Sequence, residues 1–149
     1  MIFVLIIGLG LLLDQLSKWL VVQNLPLGGS VEVWGPVLQL HHVRNTGAAW
    51  SLFSDSTFGL AVFSVLLLAL LAVWFFLTPS KTRAGRGQRL ALSVVMAGAL
   101  GNMVDRFRLG YVVDFLELPH WPVFNVADML LCCGVAGLAL LLLFEGKLK

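Results

Sequence analysis

Residues 58–77 read FGLAVFSVLLLALLAVWFFL. No charge interrupts the run, and the small residues Gly59 and Ser64 are its only departures from apolar side chains. A bilayer's hydrocarbon core takes about 20 mostly apolar residues to cross, so this stretch predicts a transmembrane helix. The rest of the chain agrees with it. Of 149 residues, 59% are hydrophobic and 12% charged, whereas soluble domains carry about 25% charged residues. The length fits one membrane-embedded domain over residues 1–149.

Outward from residues 57–77, further spans are expected at about 2–22, 88–106 and 124–144. Each of these carries charge near one end. The first run is not a secretory leader in pattern: it lacks a basic start, contains Asp14 and Lys18, and is followed by no small-residue cleavage site. It is expected to be retained as a helix. Lys81, Arg83, Arg86 and Arg89 cluster between the second and third spans, and Lys147 and Lys149 end the chain. Basic residues in short loops stay inside, which predicts cytoplasmic termini and an outward-facing position for 23–57 and 107–122.

Orientation turns the remaining polar residues into a pattern of depth. At about 1.5 Å of rise per residue, Asp14, Asn102, Arg106 and Asp128 all fall in the outer third of their spans, near Asp114 in the outer connection. Ionisable groups within spans mark functional sites by default. Within residues 25–50, Ser30–Trp34 and Val37–Val43 alternate polar and apolar side chains on either side of Gly35–Pro36, predicting a small β hairpin on the outer surface. Trp34 and Trp50 suit the headgroup level.

Several chemistries fall away. A net charge of +2 gives no case for nucleic acid. Cys132 and Cys133 are adjacent in an apolar run and read as packing residues, neither a disulfide scaffold nor a structural zinc site. His41, His42 and His120 lie on connections with no H-x-x-x-H pair, so no metal or cofactor is expected. Ser17 and Lys18 point about 100° apart on a helix and do not form a Ser–Lys pair. Lys18 instead follows Asp14 by four residues, the spacing of a salt bridge on one helix face. Asn102 and Arg106 share that spacing, Asn125 and Asp128 are three apart, and Asp105, directly before Arg106, reads as structural.

Asp114 and Asp128 remain, flanked by apolar residues with no basic partner close in sequence. Two carboxyls brought together share one proton, because both cannot ionise cheaply. One then acts as base toward water while its protonated partner donates to a scissile carbonyl, the chemistry of an aspartic peptidase. Two other readings stay open on these residues: a small ion or proton transporter, and a structural membrane subunit. Inverted repeats would favour a transporter, and residues 1–77 show no similarity to 78–149.

Five motifs stand in order along the chain: DQLSK at 14–18, VRNTGAAWS at 43–51, GNMVDR at 101–106, VVDF at 112–115 and FNVAD at 124–128. With them the sequence resembles the lipoprotein signal peptidase family, also called signal peptidase II. The resemblance implies an all-α membrane protein of four transmembrane helices with a small periplasmic β-cradle between helices 1 and 2. It implies an aspartic endopeptidase of the bacterial inner membrane, facing the periplasm, that cuts the signal peptide from a diacylglyceryl-modified prolipoprotein just before the lipidated cysteine. Carried over by motif, Asp114 and Asp128 are the catalytic pair. Asp14, Asn45, Gly47, Asn102, Arg106 and Asn125 line and orient the site, and Lys18 supports it from the first helix. Implied partners are the prolipoprotein substrates, membrane lipids and globomycin-type inhibitors, with no cofactor. Two departures from the family pattern are Trp50, where Phe is expected, and the short run of 13 residues between Asp114 and Asp128.

Overall fold

A computed structural model of the protein describes residues 1–47, 57–79 and 81–144. Trp50, Lys147 and Lys149 lie outside the described residues. Four helices are long and apolar enough to cross a membrane: α1 (Ile2–Asn24), α2 (Thr57–Leu77), α3 (Arg83–Leu109) and α4 (Val126–Leu143). Three strands complete the fold: β1 (Ser30–Trp34), β2 (Leu38–Asn45) and β3 (Val112–Glu117). The expected hairpin of β1 and β2 is present, pairing antiparallel from Ser30 opposite His41 to Trp34 opposite Leu38.

The sheet is larger than the sequence reading. Residues 112–117, expected as an outer loop, form β3 and pair antiparallel with β2. Val112 to Phe115 are all buried, so the strand lacks the apolar–polar alternation that marks a half-exposed one. A register shift between Leu40 and Val43 divides the β2–β3 ladder. Beyond it Val43 faces Asp114 and Asn45 faces Val112.

The third helix is also longer than expected. It begins at Arg83, within the basic segment read as a loop, where the Thr82 hydroxyl accepts the Gly85 N–H at 3.0 Å as an N-cap. It ends at Gly110, whose φ of 78° suits a residue without Cβ and turns the chain directly into β3. This helix is the most buried of the four and packs against α1, α2 and α4. Leu92 and Val95 from its centre meet Leu71 of α2 and Leu138 of α4 in a buried cluster. The outer faces of the other helices expose Leu9, Leu13, Phe63, Leu70 and Leu140, the side chains a bilayer solvates.

Between β3 and α4 the chain reverses. Phe124 donates to Leu116 O at 3.0 Å, and its carbonyl accepts from Phe115 and Leu116 at 2.9 and 2.7 Å. His120 takes a positive φ of 61° in this reversal. The short connection therefore folds back on β3 and starts α4 beside the strand it has just left.

Candidate active site

Asp114 projects from β3 and Asp128 from the first turn of α4. Asn125, the N-cap of α4, joins them. Its side-chain Oδ1 accepts the Asp128 N–H at 3.0 Å, while Asp128 Oδ2 accepts the Asn125 backbone N–H at 3.2 Å, a reciprocal capping box. Its Nδ2 donates to Asp114 Oδ1 at 2.7 Å and to Asn102 Oδ1 at 3.0 Å. Asn125 thus precedes the helix and does not share a helix face with Asp128, as the spacing alone implied. Asn102, on α3, donates to Asp128 Oδ1 at 2.7 Å. Two amides link the two carboxyl groups.

Asn45 supplies the third amide. Diagonal neighbours on adjacent strands come within reach of polar side chains, and Asn45 Nδ2 donates to Asp114 Oδ2 at 2.8 Å. Gly47 N–H donates to Asn45 Oδ1 at 3.0 Å, fixing which end of that amide faces Asp114. Arg106 lines the same cavity as Asp114 and Asp128. Among the described residues it forms no salt bridge with any carboxylate.

Below this layer lies a buried ionic cluster. Lys18 Nζ stands 2.8 Å from Asp14 Oδ2, 2.9 Å from Asp105 Oδ2 and 3.1 Å from Asn102 Oδ1. The Asp14–Lys18 pair anticipated from spacing is there, but Asp105 joins it as a second carboxylate. Asp105, read as structural from its place before Arg106, makes its ion pair with Lys18, across the bundle. Gln15, inside the DQLSK motif, was not among the expected site residues. Its Nε2 donates to Asp105 Oδ1 at 2.9 Å and to the Gly101 carbonyl at 3.2 Å. A Cβ at Gly101 would collide with the Asp14 carboxylate, so only glycine allows α1 and α3 this approach.

The cavity holding both carboxyls measures about 550 Å³. Its walls come from β2, α3, β3, the reversal at Trp121–Phe124 and Leu131–Cys132 of α4. Cys132, read as a packing residue, is exposed and borders this cavity. Burial pushes the Asp114 carboxyl up to about 6, and the negative charge of Asp128 adds to the rise; the Asn45 and Asn125 N–H groups and Lys18 oppose it. Among the described residues no group of three His, Cys, Asp or Glu side chains is placed to hold a metal ion.

Fold and site define a class: a four-span membrane protein with a pair of amide-held carboxyls in a cavity beside a small sheet. Comparison with known proteins makes the class specific. Residues 6–144 match the family described as Signal peptidase (SPase) II. A lipoprotein signal peptidase of Dehalococcoides mccartyi is 44% identical over 136 residues, covering 89% of this chain and 82% of that protein. One from Lactococcus lactis is 37% identical over 146 residues, covering 97% and 95%. A solved bacterial membrane enzyme superposes with a TM-score of 0.88 at 32% identity, covering 99% of this chain and 90% of that one. The chain belongs to the signal peptidase II family.

Proposed function

We propose that this peptidase is an aspartic endopeptidase that removes the signal peptide from diacylglyceryl-modified prolipoproteins, with Asp114 and Asp128 as its catalytic pair. The observation that carries the reading is the convergence of two carboxyls on one cavity, held by Asn45, Asn102 and Asn125. One carboxylate takes a proton from water as the water oxygen attacks the scissile carbonyl carbon. The protonated partner gives its proton to the carbonyl oxygen, forming a gem-diol. As the C–N bond breaks, the nitrogen takes the proton that came from water, and a gem-diol hydroxyl returns one to the other carboxylate. The pair ends with one proton, as it began.

In this reading Asp14, Lys18, Gly47 and Arg106 orient the site, and the sheet holds the substrate strand against the pair as a periplasmic cradle. Globomycin-type inhibitors are expected to occupy the same cavity, and the substrate's lipid to remain in the bilayer. Turnover of a diacylglyceryl precursor should continue at full rate in excess chelator. Activity that chelator removes and zinc restores would overturn the aspartic mechanism.

The general acid must hold its proton in the free enzyme. With Asp114 at about 6, kcat/KM is expected to fall as pH rises through about 6. Asn45 lowers that value by donating to the charged form. Asn45→Ala should therefore move the alkaline limb to higher pH, even as the overall rate drops. A limb that stays in place, or moves to lower pH, contradicts this assignment.

In the same reading, the basic segment around Lys81, Arg83 and Arg86 supports cytoplasmic termini in a bacterial inner membrane, with the cavity facing the periplasm. Reporter fusions test this orientation. A periplasm-dependent reporter should be silent at position 83 and active at position 121; the reverse pattern would invert the topology.

A further inference from the structure

The buried cluster beneath the carboxyl pair has a symmetry of connection. Asp14 Oδ1 accepts the N–H of Ala127, the residue before Asp128, at 2.9 Å. Asp105 Oδ2 accepts the N–H of Val113, the residue before Asp114, at 3.1 Å. Each buried aspartate grips the backbone beside one member of the pair. Lys18 Nζ bridges the two grips at 2.8 and 2.9 Å. Asp14, Lys18 and Asp105 are 0%, 3% and 3% exposed, so water does not loosen these bonds.

We propose that Asp105 is a positioning residue for peptide cleavage: with Asp14 and Lys18 it forms a brace that sets the separation of Asp114 and Asp128. This rests on the reading of those two as the catalytic pair. Asp114 stands on a strand and Asp128 on a helix, so no single element fixes the distance between them. The amides of Asn102 and Asn125 bond the carboxyl groups, Asn125 Nδ2 also reaches the Val113 carbonyl at 3.4 Å, and Phe124 ties Phe115 and Leu116 to the start of α4. The N–H groups just before each aspartate are held by the brace. A change of about 1 Å in such a site can cost on the order of 10²-fold in rate.

Asp105 is the member whose two functions separate by substitution. Its Oδ2 takes both Lys18 and Val113, and its Oδ1 takes Gln15. In Asp105→Asn the amide oxygen can keep Lys18 and Val113, while the new NH₂ donates to Gln15 once that side chain turns its own amide over, giving up its donations to the Gly101 carbonyl and Asp14 Oδ2. The grip survives and the charge is lost. In Asp105→Ala both are lost.

The test compares steady-state cleavage of a lipidated precursor by native protein, Asp105→Asn and Asp105→Ala, with melting temperature recorded for each. Asp105→Asn should keep kcat within about tenfold of native, and Asp105→Ala should lose on the order of 10²-fold or more in kcat at little changed KM. Folded Asp105→Ala with native kcat, whatever its melting temperature, would overturn the brace. So would a folded Asp105→Asn as inactive as the alanine variant, because the charge and not the grip would then matter. If the alanine variant does not fold, Asp105→Asn alone decides: a native melting temperature with kcat more than about 10²-fold down refutes the proposal, and retained kcat sustains it. Failure of the aspartic reading looks different, since Asp114→Asn or Asp128→Asn would then stay active.

Discussion

Asp114→Asn and Asp128→Asn are each expected to bring cleavage of a lipidated precursor close to background, a loss of about 10²–10⁴-fold per general acid–base group. The double variant should be little worse than either alone. Two carboxyls that share one proton perform one function, and removing either removes it, so the losses do not add. Folding should survive, because an amide fills the space of a carboxyl. In Asp114→Asn the new oxygen can still accept from Asn45 or Asn125. Asp128→Asn also keeps an oxygen for the capping box with Asn125, and so should preserve the start of α4. Cleavage rate and melting temperature of the three variants check this together. A well-folded Asp128→Asn protein with near-native turnover would remove Asp128 from the pair.

The largest expected loss of stability belongs to Lys18→Met. Among the described residues, Lys18 is the one cation paired with Asp14 and Asp105, both buried. Deleting one partner of a buried ion pair costs about 3–5 kcal/mol, because a charge is left without compensation. Here two carboxylates lose their partner, and both hold backbone next to the candidate pair. The melting temperature in detergent should fall by on the order of 10 °C. Replacing Asp14 together with Lys18 should not restore it, since Asp105 stays buried and unpaired with any cation. Neutralising all three with side chains of similar volume should recover most of the loss, as removal of whole buried ionic groups is often mild. Equal stability for the single and triple variants would show that charge compensation is not what Lys18 provides.

The spans and the site residues were legible in the sequence for the same reason: in a chain this apolar, each polar residue stands out. Asp14, Asn102, Arg106, Asp114 and Asp128 could be set at one depth by counting residues; the structure joins all but Arg106 through Lys18 and Asn125, and Arg106 lines the same cavity. What was hidden depended on pairings distant in sequence. β3 is buried on both faces, so VVDF carried no strand period. Asp105 sat next to an arginine in sequence, and the partner that binds it, Lys18, lies on another helix. Gln15 carried no site role in the sequence because an uncharged amide in a span reads as a minor flaw, whereas it donates to Asp105 and a helix carbonyl. The start of α3 was masked by its basic residues, which a hydropathy reading counts as loop although they belong to the helix.

The most direct measurement is the mass of the products that the purified protein makes from a precursor carrying diacylglyceryl on its cysteine. A fragment that begins at the lipidated cysteine, with a signal peptide ending at the residue before it, is the predicted result, and the same precursor without lipid should be cut far more slowly. No cleavage by folded protein, or a cut at another bond, would contradict the account.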